Sequence, residues 1–154
     1  MKKKVNFLNL CLLLFVWQFV FVFSAMAQTS NQFIAKKDLP KSRLMLTRRT
    51  QSGSFYDVVG RKSAAFGYEH RNMEAWVYPL KIMDDFALEF QIEGYNLPFM
   101  GKDILTNIEV RPEATIFTYS HAAFTVRQII YAPVDEQGLI SLLDINTKLP
   151  MTIH

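Results

Sequence analysis

This sequence predicts an all-β fold, an antiparallel β-sandwich, and three observations carry that expectation. Past residue 43, short runs alternate apolar with polar side chains at a period of two. Those runs are rich in Val, Ile, Thr, Phe and Tyr, and Gly, Pro or Asn/Asp clusters break them at close spacing. No 3.6-residue period lasts three turns there, so no amphipathic helix competes. About eight closely spaced strands are the signature of a sandwich or a barrel.

The chain opens differently. Lys2, Lys3 and Lys4 form a positive start, and an apolar run follows from Val5 to Phe23. Ser24, Ala25 and Ala27 then place small residues ahead of a peptidase cut. The pattern reads as a signal-peptide helix over residues 1–27, with Gln28 the first mature residue. The run is long enough to span a bilayer at roughly 1.5 Å per residue, so an uncleaved anchor is the alternative. Asn9 and Gln18 weaken that alternative, and Cys11 behind the bulky Leu10 does not suit lipidation. The expectation is an exported protein, periplasmic or extracellular, with no membrane contact once the leader is removed. Residues 28–42 are polar, carry lysines and are broken by Pro40; they read as a linker or a lead-in strand.

The sandwich domain is expected over residues 43–154. Its first strands are short, at residues 54–59, 63–68 and 73–78, separated by Gly60 and by a polar turn at 69–72. Residues 86–93 give the clearest alternation, with Phe86, Leu88, Phe90 and Ile92 on one face and Glu89, Gln91 and Glu93 on the other. Gly94 and Asn96 end that run, and Pro112 ends the next at 104–110. Residues 115–119 and 124–131 flank a short connection, Ser120 to Ala123, and read as a hairpin. A turn containing Pro133 and Gly138 leads to a strand at 139–145. Residues 149–154 look like the opening of one more strand, which leaves two readings: a native terminus at His154, or a sandwich incomplete at its carboxyl end.

Composition narrows the function. The chain has 154 residues, 50% hydrophobic and 20% charged, which suits one domain with a sizeable core. The net charge of +3 comes from the three leader lysines; the remainder carries 14 basic and 14 acidic side chains. Such a chain has no electrostatic reason to bind nucleic acid. Cys11 is the only cysteine, so the mature chain can form no disulfide and no thiolate metal site.

The titratable residues offer no reaction signature. His70, His121 and His154 fit no metal-binding spacing; His70 with Glu74 could be two ligands, but a loop histidine beside a solvated acid is the preferred reading. His121 in the hairpin connection reads as an exposed polar residue. Asp84 and Asp85 are adjacent on an extended segment and point to opposite faces, so they do not form an acid–base pair. No serine sits in a nucleophile elbow, and neither Gly60 nor Gly67 belongs to a phosphate cradle. No catalytic residue, metal or cofactor is called for.

The most suggestive stretch runs from Tyr68 to Pro79. Glu74, Trp76 and Tyr78 are the candidate carbohydrate-binding residues, because aromatic faces stack on the apolar face of a sugar while carboxylates hold its hydroxyls. The competing reading is a core Trp and Tyr beside an ordinary turn.

Residues 54–64, 74–82 and 110–115 together resemble the amino-terminal region of secreted bacterial proteins of the glycogen-debranching-enzyme-like (amylo-α-1,6-glucosidase-like) group, which belong with the six-hairpin glycosidases. The resemblance extends over most of residues 44–153. It implies a supersandwich-like domain that precedes an (α/α)6 barrel, with the catalytic carboxylates in the barrel and none here. The function it implies is a noncatalytic module or fragment acting in α-glucan metabolism, its partner the (α/α)6 domain or carbohydrate. A stand-alone carbohydrate-binding module is the alternative.

Overall fold

The computed structural model describes residues 44–154. The leader (1–27) and the lead-in segment (28–42) lie outside the described residues. The rest is all-β, as expected, with antiparallel sheets packed on one another.

The strands in chain order are β1 (Leu46–Arg49), β2 (Phe55–Val59), β3 (Ser63–Tyr68), β4 (Met73–Val77), β5 (Leu80–Phe86), β6 (Glu89–Ile92) and β7 (Phe99–Met100). A single helical turn, α1 (Gly101–Ile104), precedes β8 (Leu105–Val110), β9 (Thr115–His121), β10 (Phe124–Tyr131), β11 (Ile140–Thr147) and β12 (Met151–Ile153). They form a five-stranded sheet in the order β1-β8-β9-β10-β11, a four-stranded sheet β2-β3-β4-β5 and a three-stranded sheet β12-β6-β7. All three contribute to one core: Tyr56, Val58 and Met73 from the four-stranded sheet, Phe90 and Ile92 from the three-stranded, and Ile108, Phe117, Phe124, Val126 and Ile130 from the five-stranded. The five-stranded sheet is thus one layer, and the two smaller sheets share its core-facing side.

Alternation accounts for most of this. In β10, Phe124, Val126, Gln128 and Ile130 are buried, while Thr125 is exposed. In β6, Phe90 and Ile92 are fully buried, and Glu89 and Gln91 only partly. The run at 86–93 is nevertheless not one strand. Phe86 closes β5, and the chain breaks at Ala87–Leu88, where the Gly101 amide donates to the Leu88 carbonyl at 2.7 Å. A side chain on Gly101 would meet that oxygen at 2.9 Å, so only glycine fits this approach.

More strands form than the eight expected, and each addition has a reason. β5 shows no period of two, because all but Phe86 of its residues are exposed and neither face is selected. β1 and β7 are short pieces, of four and two residues, too brief for alternation to mark them, and they pair with β8 and β6. β12 takes the place expected for a strand at 149–154: Ile153 lies opposite Phe90, and His154 exchanges two backbone bonds of 2.9 Å with Glu89. The first hairpin strand, β9, also runs two residues further than expected, leaving only Ala122–Ala123 as the turn, with His121 opposite Phe124.

The pairing of β4 with β5 is irregular at two places. Met73 faces Phe86 and Ala75 faces Met83, so one extra residue is accommodated at Asp84–Asp85, where Asp85 takes φ +57°; Trp76 faces Lys81, so Ile82 is a second. The two carboxylates diverge as their adjacency implied: Asp84 pairs with Lys81 at 3.4 Å, and Asp85 accepts from Asn72 Nδ2 at 2.6 Å.

Truncating Phe90 to Ala should cost about 3–5 kcal/mol in denaturant unfolding, because all three sheets close on it. The exposed Ile82→Ala change should stay within about 0.5 kcal/mol.

Candidate functional site

The four-stranded sheet has two unlike faces. Tyr56, Val58, Ala65 and Met73 point into the core, and the residues between them, Phe55, Asp57, Phe66, Tyr68, Glu74 and Trp76, point outward. Strand register brings these into one row. Phe55 lies opposite Tyr68, Asp57 opposite Phe66, Phe66 opposite Glu74, and Trp76 opposite Lys81.

The rings follow one another across the strands. Tyr68 meets Phe55 edge-on at 5.6 Å, Phe55 lies 6.3 Å from Phe66, and Phe66 stacks on Trp76 at 6.3 Å with an interplanar angle of 18°. Such pairs add about 0.5–1.5 kcal/mol each beyond area burial. Cations end the row on both sides: Lys81 Nζ lies 5.4 Å over the Trp76 ring, and the Arg71 guanidinium lies 5.8 Å over Tyr68.

Two of the three sequence candidates meet here. Glu74 and Trp76 share the outward face, but both are occupied. Glu74 binds Lys81 Nζ at 2.5 Å, and Trp76 is approached from β3 by Phe66 and from β5 by Lys81. The Lys81 ammonium is correspondingly held above its ordinary pKa, chiefly by the hydrogen bond to Glu74, which outweighs the opposing effect of burial, with Asp84 adding to it. Trp76 Nε1 is buried without a hydrogen-bond partner. Tyr78 follows β4 at a cis Tyr78–Pro79 bond; it is exposed, and its amide donates to the Lys62 carbonyl at 2.9 Å, away from the ring contacts.

The open rings are Phe55 and Tyr68, 56% and 46% exposed. Sequence reasoning missed Phe55 and Phe66 as site residues. Their signal was present in the period of two along residues 54–59 and 63–68, which a hairpin around Gly60 folds face to face.

A second polar group lies at the β3–β4 turn. Glu69 is buried, and Arg48 of β1 grips it with two nitrogens at 2.5 and 3.0 Å while the Gln51 amide donates to it at 2.7 Å. That hydrogen bond raises the Arg48 pKa. Next to it His70 sits at φ +60°, its Nδ1–H donating to the Lys102 carbonyl at 2.7 Å and its Nε2 bonded to Thr50 Oγ1 at 2.9 Å. Both nitrogens are therefore used within the fold, and Glu74 is held elsewhere, so His70 and Glu74 do not form a ligand pair. Among the described residues, no three His, Cys, Asp or Glu side chains converge on a metal site. A small cavity of about 30 Å3 adjoins the turn, lined by Tyr56, Glu69, His70, Gly101, Tyr119 and Gln128 among others. It has room for one or two waters, too little for a sugar ring.

His121 is not simply the exposed turn residue expected. Its ring is half-buried, 4.2 Å from the centroid of Phe99 and 5.5 Å from that of Phe124, and its Nδ1 accepts from the Ala123 amide at 3.3 Å. It packs the three-stranded sheet against the β9–β10 hairpin.

No family model, curated protein or solved structure matches the chain.

Two consequences follow for stability. Arg48→Met leaves the Glu69 carboxylate buried with only a backbone donor, and should cost about 3 kcal/mol in denaturant unfolding. Tyr56 and Tyr119 have raised pKa values, both chiefly through burial, with the Glu69 charge adding for Tyr56 and Tyr56 adding for Tyr119. Their unfolded counterparts ionise near pH 10 while the folded ones keep their protons, so stability is intact below about pH 10 and falls above it. Unfolding stability measured from pH 9 to 11 should fall further for the native chain than for Tyr56→Phe, by about 1.4 kcal/mol in total across that range.

Proposed function

We propose that the chain is an exported, noncatalytic β-sandwich module of a glycoside-hydrolase-like protein, and that it meets carbohydrate with the outward face of its four-stranded sheet. The observation that carries this reading is the aromatic row ending in the open rings of Phe55 and Tyr68. Sugars present apolar C–H faces ringed by hydroxyls. Rings left half in water offer a stacking surface, and the neighbouring Asp57 and Arg71 offer hydrogen-bonding groups at its margin.

In this reading the working surface is displaced from the one expected. Trp76 and Glu74 brace the row, and Phe55 and Tyr68 carry the contact. The glycosidase context rests on the sequence resemblance. Apolar side chains left exposed elsewhere support a neighbouring domain: Leu143 and Ile145 lie on the core-facing side of β11, opposite the buried Gln128 and Val126, yet are themselves uncovered. The same aromatic row would also serve a stand-alone carbohydrate-binding module.

Titration calorimetry against maltooligosaccharides and other soluble glycans tests the reading, with Trp76 as the only indole beyond the leader to report nearby binding. Phe55→Ala with Tyr68→Ala should lower affinity about tenfold or more, on the scale of two aromatic contacts, at a cost of about 1–3 kcal/mol in unfolding for the two ring pairs removed, which leaves the buried core in place. Absence of heat and of a fluorescence change at millimolar glycan, across the panel, would sink it.

A further inference from the structure

We propose that the ligand of the Phe55–Tyr68 end of the row is an acidic saccharide, one bearing carboxylates, and that Arg71 reads its charge. This rests on the carbohydrate reading above and narrows it.

The argument starts from the fate of each cation. Of the six arginines among the described residues, Arg48, Arg61, Arg111 and Arg127 each hold a carboxylate, of Glu69, Asp135, Glu109 and Asp144 in turn. Arg49 and Arg71 hold none among the described residues, and of these two only Arg71 lies over an aromatic ring. Its nearest acid in sequence, Glu69, is buried and already bound by Arg48 and the Gln51 amide. The two ends of the row therefore differ. Lys81, over Trp76, is neutralised by Glu74 at 2.5 Å and Asp84 at 3.4 Å. Arg71, over Tyr68, keeps its charge available, at the end where the rings are open.

A guanidinium resting on a ring face directs its N–H groups sideways in its own plane, where they can grip a carboxylate with two parallel hydrogen bonds. The ring keeps the fork partly ordered, so less side-chain freedom is lost on binding. A saccharide stacked on Phe55 and Tyr68 would bring a sugar carboxylate beside that fork. A neutral sugar of the same size would stack equally well but leave the guanidinium with water alone.

The full chain is titrated by calorimetry with oligogalacturonate and with a maltooligosaccharide of equal length. The acidic oligomer should bind about tenfold more tightly, the scale of one charge-assisted bidentate contact. That preference should vanish in Arg71→Gln and persist in Arg49→Gln, which removes the same charge away from the aromatic row. Equal or tighter binding of the neutral oligomer, or a preference unchanged in Arg71→Gln, overturns the inference and leaves the carbohydrate reading standing. Binding of neither oligomer, nor of any glycan in the wider panel, overturns both. Because Arg71 is exposed, makes no ion pair among the described residues and loses only its contact with Tyr68, Arg71→Gln should unfold within a few degrees of the native chain, which separates lost recognition from lost structure.

Discussion

The grip of Arg48 on Glu69 is the constraint on which the arrangement of the sheets turns. Arg48 belongs to the edge strand of the five-stranded sheet, and Glu69 opens the turn between the second and third strands of the four-stranded one. An ionised carboxylate fully removed from water is stable only if its acceptor sites are filled, and here two guanidinium nitrogens and a backbone amide fill them. Because the guanidinium fork demands a fixed geometry, the bond sets position as well as energy. His70 extends the tie to the α1 turn through Lys102 and to the β1–β2 connection through Thr50. Its left-handed backbone is held by that bonding.

From this anchor the hairpin β3–β4 can face two environments at once. Its inward side chains, Ala65 and Met73, are small or flexible and share the core with Phe117 and Tyr119 of the five-stranded sheet. Its outward side chains are large, and they pack among themselves. Phe66 on Trp76, Trp76 under Lys81, and Phe55 against Tyr68 make an outer layer one side chain thick. Contacts within such a layer restrict its side chains, which under the proposed carbohydrate reading would lower the entropic cost of binding.

How much of this was legible in advance differs from strand to strand. Where one face is buried and the other wet, the alternation spoke plainly: β3 and β10 have the expected bounds, and Phe90 and Ile92 lie in the core as their spacing implied. β5 was illegible because nothing covers either of its faces, so Leu80, Ile82 and Met83 follow no pattern. At the candidate site the stretch from Tyr68 to Pro79 was singled out on composition, and it does supply Tyr68, Glu74 and Trp76 to the outward face. It could not disclose Phe55 and Phe66, since they join the row only through pairing across β2, β3 and β4. Nor could it disclose that Lys81 closes over Trp76, which depends on the β4–β5 pairing set by the turn at Tyr78–Pro79.

What the sequence by itself determined is the class of fold and the direction of each side chain within a strand, because a period of two is a local property of an extended backbone. It likewise determined that no disulfide can form within the chain, since Cys11 is its single cysteine. Only the tertiary structure decided which strands are neighbours, and with them which rings touch and which cations find acids. Those facts depend on pairings between residues far apart in the chain: Arg48 with Glu69, Phe55 with Tyr68, Ile153 with Phe90. Arg71 and Lys81 look alike as isolated residues. The folded chain surrounds one with carboxylates and leaves the other over an open ring.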